Sequence, residues 1–504
     1  MRLSVALPAA LVAVLLSGAT QSVHAAVPSL VEAARQGDVQ AVRAALLVKA
    51  DVNASAADGT TALQWAAQRG DAEVVKLLLA KGAKVDLANR YGVTALRASC
   101  VQGNTAVVQA LLAAGANANA VRAESGDTPL MMASRSGHVE IVKALLAKGA
   151  QVNLIEPLRK QSALMWAAAE GHGPVVQTLV EAGADVKALS STKMTPLMFA
   201  IRSGSIPSVD ALLAKGLDVN GTASDGTHML HLAIINARFE LAKHLLDRGA
   251  DANVDDIHGK PLHTLAFMRR AENRALSTVL PRQLPQSGVD AFALADALLA
   301  KGADINARYA TVPGPGVTPM PPRHIALGSY RMALAGATPF FISTMTADVP
   351  FMRYLAKKGA DTSIGSLTGV SPLLAASGIG YWEGETPGTN AEAFEAVKVA
   401  AELGNDPKAL VGGGPKTDAS WEGSSAMHGA ANRGAVEIVS WLAEKGVPLD
   451  SRSKRGITPY HHAAGLDGFL FHASPETVQL LDKLAAARGE KIDKTEPAPL
   501  RTIR

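Results

Sequence analysis

Thirteen histidines are scattered along this chain of 504 residues. The densest grouping with acidic neighbours is Asp255, Asp256, His258 and His263, which offers oxygen and nitrogen atoms of the kind a transition metal takes, within nine residues. Local chemistry competes for the same side chains. Asp256 and His258 fall at a turn that precedes a helix, where acidic and polar groups bond the neighbouring backbone. That reading is preferred, so no metal and no cofactor is assigned. His461, His462 and His472 form a second group, but adjacent residues on a helix point about 100° apart, which makes chelation by the adjacent pair awkward. Glu383 and Glu385 would be the carboxylate pair of an acid-base catalyst, yet glycine-rich surroundings bury them too little to separate their pKa values. No nucleophile elbow, phosphate loop or H-E-x-x-H stands in a usable context.

Other classes of chemistry drop out on composition. Cys100 is the single cysteine, so neither an intramolecular disulfide nor the C-x-x-C-H attachment of a c-type haem is possible. It occupies a position where other segments carry Ala67, Ser134 and Ala168, which suits a small buried hydrophobe better than a reactive thiol. Lys plus Arg number 49 against 45 Asp plus Glu, a net charge of +4. These charges are dispersed without a basic block, so nucleic acid is not an expected partner.

The elements that position these residues repeat. A hydrophobic anchor followed by small residues returns every 32 to 34 residues at Leu30, Leu63, Leu96, Leu130, Leu164, Leu197, Leu230 and Leu262. After longer gaps it returns at Phe340, Leu373, Met427 and Tyr460. Twelve such segments predict an all-α solenoid of about twelve helix-turn-helix units, because each unit exposes apolar sides that only a neighbour can cover. The start of the chain has a different layout. Arg2, an apolar run from Leu3 to Leu16 and the small residues Ala25 and Ala26 read as a secretory signal peptide with cleavage near Ala25. The run is too short for a membrane span and no second candidate follows. The expectation is an exported chain, periplasmic or else extracellular, with no stable membrane insertion after cleavage.

One unit shows the physics. In Asp58 to Asp86, Gly59 supplies a turn, Thr61 caps a helix start, and Leu63, Ala66 and Ala67 line one helix face. Gly70 and Asp71 turn the chain. Val74, Val75, Leu77, Leu78 and Leu79 make a second helix apolar, and Gly82 is placed for a left-handed cap. Such residues resemble the ankyrin repeat. The closest matches are Asp127, Thr128, Pro129 and Leu130 with Gly137, His138, Glu140, Ile141, Val142, Lys143, Leu145, Leu146, Gly149 and Ala150. Thr195-Pro196-Leu197, Thr338-Pro339-Phe340, Ser371-Pro372-Leu373 and Thr458-Pro459-Tyr460 repeat the signature. The resemblance implies stacked antiparallel helix pairs, a row of hairpin-like fingers and a concave face that binds proteins. It also assigns His231, His263, His428 and His461, each just after an anchor, a structural hydrogen-bonding role.

The expected organisation is a signal peptide at 1–25, a polar capping unit at 27–56, regular units at 57–256, units with long inserted loops at 257–422, closing units and cap at 423–488, and a flexible tail at 489–504. Leu262 and Phe340 are 78 residues apart, and Leu373 and Met427 are 54 apart, so two units are enlarged. Loops of this length are functional or disordered. Aromatics within them must fold back onto the stack or meet a partner. Tyr309, His324, Tyr330, Tyr381, Trp382 and Trp421 are the candidate partner-binding residues. The function expected is a non-enzymatic protein-protein interaction scaffold of the bacterial envelope, similar to exported bacterial ankyrin proteins. Its alternatives are an enzyme using His324, Glu383 or Glu385 within 267–422, and a secreted effector acting on host proteins.

Overall fold

The computed structural model describes residues 29–256, 258–270, 288–309, 334–380, 388–412, 421–467 and 473–495. Among them are helices only, with isolated bridge pairs such as Ser55 to Thr61 closing the loops between units. The chain divides into two compact units, one up to residue 166 with 181–184, the other 167–180 and 185 onward.

In unit 1 the helices are α1 (Leu30–Gln36), α2 (Val39–Leu47), α3 (Ala62–Arg69), α4 (Ala72–Ala80), α5 (Ala95–Gln102), α6 (Thr105–Ala113), α7 (Pro129–Arg135) and α8 (Val139–Ala147). Helices α9 (Ala163–Ala169) and α10 (Gly173–Glu181) fall where the units divide. Unit 2 holds α11 (Pro196–Ser203), α12 (Ile206–Leu213), α13 (Met229–Ile235), α14 (Phe239–Asp247), α15 (Pro261–Met268), α16 (Ala291–Ala300), α17 (Pro339–Met345) and α18 (Val349–Lys357). It continues with α19 (Pro372–Ser377), α20 (Asn390–Glu402), α21 (Ala426–Arg433), α22 (Val436–Glu444), α23 (Pro459–Ala463) and α24 (Pro475–Arg488). These are twelve pairs, and every predicted anchor lies in the first helix of its pair. The fold is an all-α helical repeat.

Local chemistry explains several of the boundaries. Thr61, Thr94 and Thr128 accept the N–H of the third residue into α3, α5 and α7 at 3.2–3.3 Å, which satisfies one of the donors that a helix start leaves open. Asp38, Asp71 and Asn104 do the same for α2, α4 and α6. First helices end at glycines in the left-handed region, such as Gly70 at φ 76° and Gly103 at φ 81°. Non-glycine residues also adopt this conformation at helix ends: Ala237 after α13 and Ala347 after α17 at φ 54°, and Lys49 after the second helix α2 at φ 57°.

Small residues pack the first helices closely. Ala33, Ala34, Ala66, Ala67, Ser99, Cys100, Ala133 and Ser134 are all buried in unit 1, and α1, α3, α5 and α7 contact one another in series. Burial pushes the Cys100 thiol up to about 12, so it stays protonated and inert. In unit 2 the series runs α11, α13, α15, α17, α19, α21, α23. It passes both enlarged segments without a break: α15 packs on α17 and α19 on α21.

A second ladder runs along the loops. Asn53 Oδ1 accepts Lys84 N–H at 2.8 Å, Asp86 accepts Asn117 N–H at 3.0 Å and Asn119 accepts Gln151 N–H at 2.7 Å. In unit 2, Asn220, Asn253 and Asn306 accept the N–H of Asp251, Asp304 and Asp361 at 2.8–2.9 Å. Side chains thus supply the acceptors that loop amides lack. The last two rungs again reach over the sequence added between units.

Candidate functional site

The side chain one place after each anchor decides how the fingers are held. In α3 this is Gln64, whose Oε1 accepts the N–H of Thr61 at 2.6 Å while its Nε2 donates to Val93 O of the next finger at 2.6 Å. His263, His428 and His461 reproduce the arrangement with imidazole. Their Nδ1 atoms accept the N–H of Lys260, Ser425 and Thr458 at 2.9–3.0 Å. Their Nε2 atoms reach the carbonyls of Ala307, Ile457 and Thr495 at 2.8–3.0 Å. This pattern requires the neutral tautomer with its proton on Nε2. Burial disfavours protonation further, pushing His263 down to about 4 and His428 down to about 3.

His231 departs from this arrangement. The N–H it would accept belongs to His228, which donates instead to Asp256 Oδ2 at 3.0 Å. His231 Nδ1 turns to the same carboxylate at 2.8 Å, and His258 Nδ1 lies 3.0 Å from its other oxygen. Two imidazoles and two backbone N–H groups therefore surround one buried anion. Burial opposes ionisation of Asp256, but the bonds from His231 and His258 outweigh it and hold the carboxyl far below the usual range. The Asp255, Asp256, His258 and His263 grouping is thus split. Asp256 and His258 bond each other, whereas His263 serves the next finger. Among the described residues no set of three or more His, Cys, Asp or Glu is arranged to hold a metal ion.

A related pair closes unit 2. His462 Nδ1 lies 2.5 Å from Asp467 Oδ2, both side chains being buried. Trp421 stacks flat on the imidazole, with centroids 4.9 Å apart and planes 7° apart. Trp421, a candidate for partner contact, is therefore half-buried against the repeat stack. Tyr309 is similar: its ring meets His263 edge-on at 5.6 Å, and its N–H donates to Ala337 O at 2.8 Å. Burial pushes its phenol up to about 12. His324, Tyr330, Tyr381 and Trp382 lie outside the described residues, as do Glu383, Glu385 and His472.

Sequence reasoning passed over a set of exposed apolar residues in unit 1. Tyr91, Val121, Ile155 and Leu158 stand exposed on three consecutive fingers, with Val101 exposed on α5. Half-buried Trp65, Met132 and Trp166 occupy the position two after their anchors. A signal was present in the sequence: Tyr91 sits between Arg90 and Gly92 in a turn, where a polar residue would serve the backbone equally well. Regular spacing drew attention to the interruptions instead.

A model of the family described as ankyrin repeats (3 copies) matches residues 30–122, 115–190 and 164–256. Over these residues the chain is similar to ankyrin repeats. The matched ankyrin span contains the finger row of unit 1. A solved structure described as the human ASB11 ankyrin repeat domain is 29% identical, covering 40% of this chain and 90% of that one, with a TM-score of 0.37. No functionally curated protein matches the chain.

Proposed function

We propose that this protein is a non-enzymatic scaffold that holds another protein, and that it works in the bacterial envelope after export. The observation that carries the first part is the finger row of unit 1. Apolar side chains stand exposed at its tips, while the stems behind them are fixed by inter-finger hydrogen bonds. Rigid presentation of apolar anchors favours association because little conformational freedom remains to be lost. Ankyrin repeats mediate protein-protein interaction, which supports the same reading. Export rests on the leader-like arrangement of residues 1–25, and the absence of any membrane-spanning helix among the described residues is compatible with it.

Two measurements test the halves separately. Crosslinking in native envelopes, followed by mass spectrometry, should recover one or a few partner proteins reproducibly; recovery of background alone would remove the scaffold reading. Intact mass of the protein from a periplasmic extract should correspond to a chain beginning at Ala26. An uncleaved chain confined to the cytoplasm would remove the export reading and leave the scaffold reading standing.

A further inference from the structure

We propose that unit 1 receives an extended, acidic segment of a partner protein that carries large apolar side chains, laid across the finger tips. The inference rests on the scaffold reading above and adds the chemistry of what is held.

The fingers form a fixed row. Arg90 N–H donates to Asp58 O of the preceding finger at 2.9 Å, and Arg122 Nε donates to Tyr91 O at 2.8 Å. Gly126 lies directly against the Pro157 ring of the next finger, leaving no room for a side chain. On this row Tyr91 is 45% exposed, Val121 59%, Ile155 52% and Leu158 79%. Neighbouring helices pack about 8–10 Å apart, so four fingers span roughly 24–30 Å. An extended chain at about 3.3 Å per residue covers that distance in roughly seven to nine residues.

Charge decides the sign of the occupant. Over the four fingers of unit 1 and the helices that directly follow them (54–70, 87–103, 120–137 and 154–166) there are seven Lys and Arg against four Asp and Glu. Each of the four carboxylates is already engaged by its own chain. Asp127 is buried 2.6 Å from Arg97, and Asp58 accepts the N–H and hydroxyl of Thr60. Glu156 is buried and accepts the N–H groups of Leu158, Arg159 and Gln161, while Glu124 pairs with Arg122 at 2.8 Å. Arg90, Arg159 and Lys160 stand exposed beside Tyr91 and Leu158. The face therefore presents net positive charge interleaved with apolar groups, which complements acidic residues alternating with large hydrophobic ones. A basic segment would meet like charge, and an all-polar acidic one would leave the apolar tips in water.

The test is selection of a displayed random 12-residue peptide library on the full chain. Enriched peptides should be net negative and carry two or more large apolar residues. Affinity of a representative synthetic peptide should fall about tenfold or more both in Arg90→Glu with Arg159→Glu and in Tyr91→Ser with Leu158→Ser. All four positions are exposed, so the melting temperature should stay unchanged and separate lost binding from lost folding. Enrichment of neutral or basic peptides, or of acidic ones that both double variants still bind, would overturn the proposal while the scaffold reading stands. Absence of any enrichment would overturn it too, and the crosslinking result then decides whether the scaffold reading falls with it.

Discussion

Replacing His428 with glutamine should flatten the response of unit 2 to acid without weakening it at neutral pH. Gln64 already makes the same two bonds in α3, to its own helix-capping N–H and to the next finger's carbonyl, so His428→Gln keeps the geometry and removes the titrating group. The magnitude follows from linkage. Burial first, then the neighbouring His462, pushes His428 down to about 3, against an ordinary value of 6.5. Between those values the unfolded chain binds a proton that the folded chain refuses. The stability this histidine contributes is therefore complete above pH 6.5 and is lost as pH falls toward the folded value. From pH 7 to pH 5 the loss is about 2 kcal/mol, and it barely changes whether the folded value is 3 or 4. Urea unfolding followed at pH 7, 6 and 5 should show the variant retaining about 2 kcal/mol that the parent loses. Protection of the Ser425 amide, which His428 Nδ1 accepts at 3.0 Å, should fall with acid, relative to the intrinsic exchange rate at each pH, further in the parent than in the variant. Parallel stability curves for the two proteins would refute the reasoning, since they would mean that the imidazole is not held neutral by its surroundings.

Three further outcomes follow from the same structure. Asn253→Ala removes the acceptor of Asp304 N–H at 2.9 Å and the donor to Gly302 O at 2.7 Å, and should lower unfolding free energy by about 1–2 kcal/mol in urea titration. Ala237→Gly and Ala347→Gly relieve left-handed backbone at φ 54°; each should raise stability by up to about 1 kcal/mol, the relief exceeding the entropy cost of glycine, seen as a higher melting temperature. Arg269→Ala strips the partner from buried Asp348, which it meets at 2.7 and 3.1 Å, and should cost about 3–5 kcal/mol, with Arg269→Lys falling in between by the same melting assay.

The helix pairs were legible because their cause is local. A threonine cap, a proline in the first turn and a glycine at the end act within a few residues, and the anchor recurs at constant spacing, so Leu63 in α3 and Met427 in α21 could be placed alike. The structural role given to His263, His428 and His461 was equally readable, since each stands three residues from the N–H it accepts. His231 was not, because its bond is decided by Asp256, which reaches back from the following finger to take the N–H of His228. Trp421 shows the same limit: nothing near it in sequence announces His462, 41 positions on, as the surface it covers. The exposed tips Tyr91 and Leu158 were missed for a different reason. Exposure is a property of the assembled row, whereas the sequence presents them merely as apolar residues in turns.

Gln64, His263, His428 and His461 each reach a carbonyl of the segment that follows their helix pair. Beyond α24 the described residues hold no further helix, and His461 Nε2 finds a carbonyl, that of Thr495, at 2.8 Å. The strand of chain that supplies it is fastened like a finger: Asp493 N–H donates to Asp450 at 3.2 Å, and Arg452 pairs with the Asp493 carboxylate. Lys494 lies over the ring of Tyr460, the one anchor that is only half-buried. Residues 490–495 thus serve His461 as a finger does, supplying a backbone carbonyl to its imidazole. The bonds that Gln64, His263, His428 and His461 make to following carbonyls are thus satisfied within the stack itself. On the scaffold reading proposed above, affinity for a partner would come from exposed side chains, and in unit 1 those include the apolar and cationic groups at the finger tips.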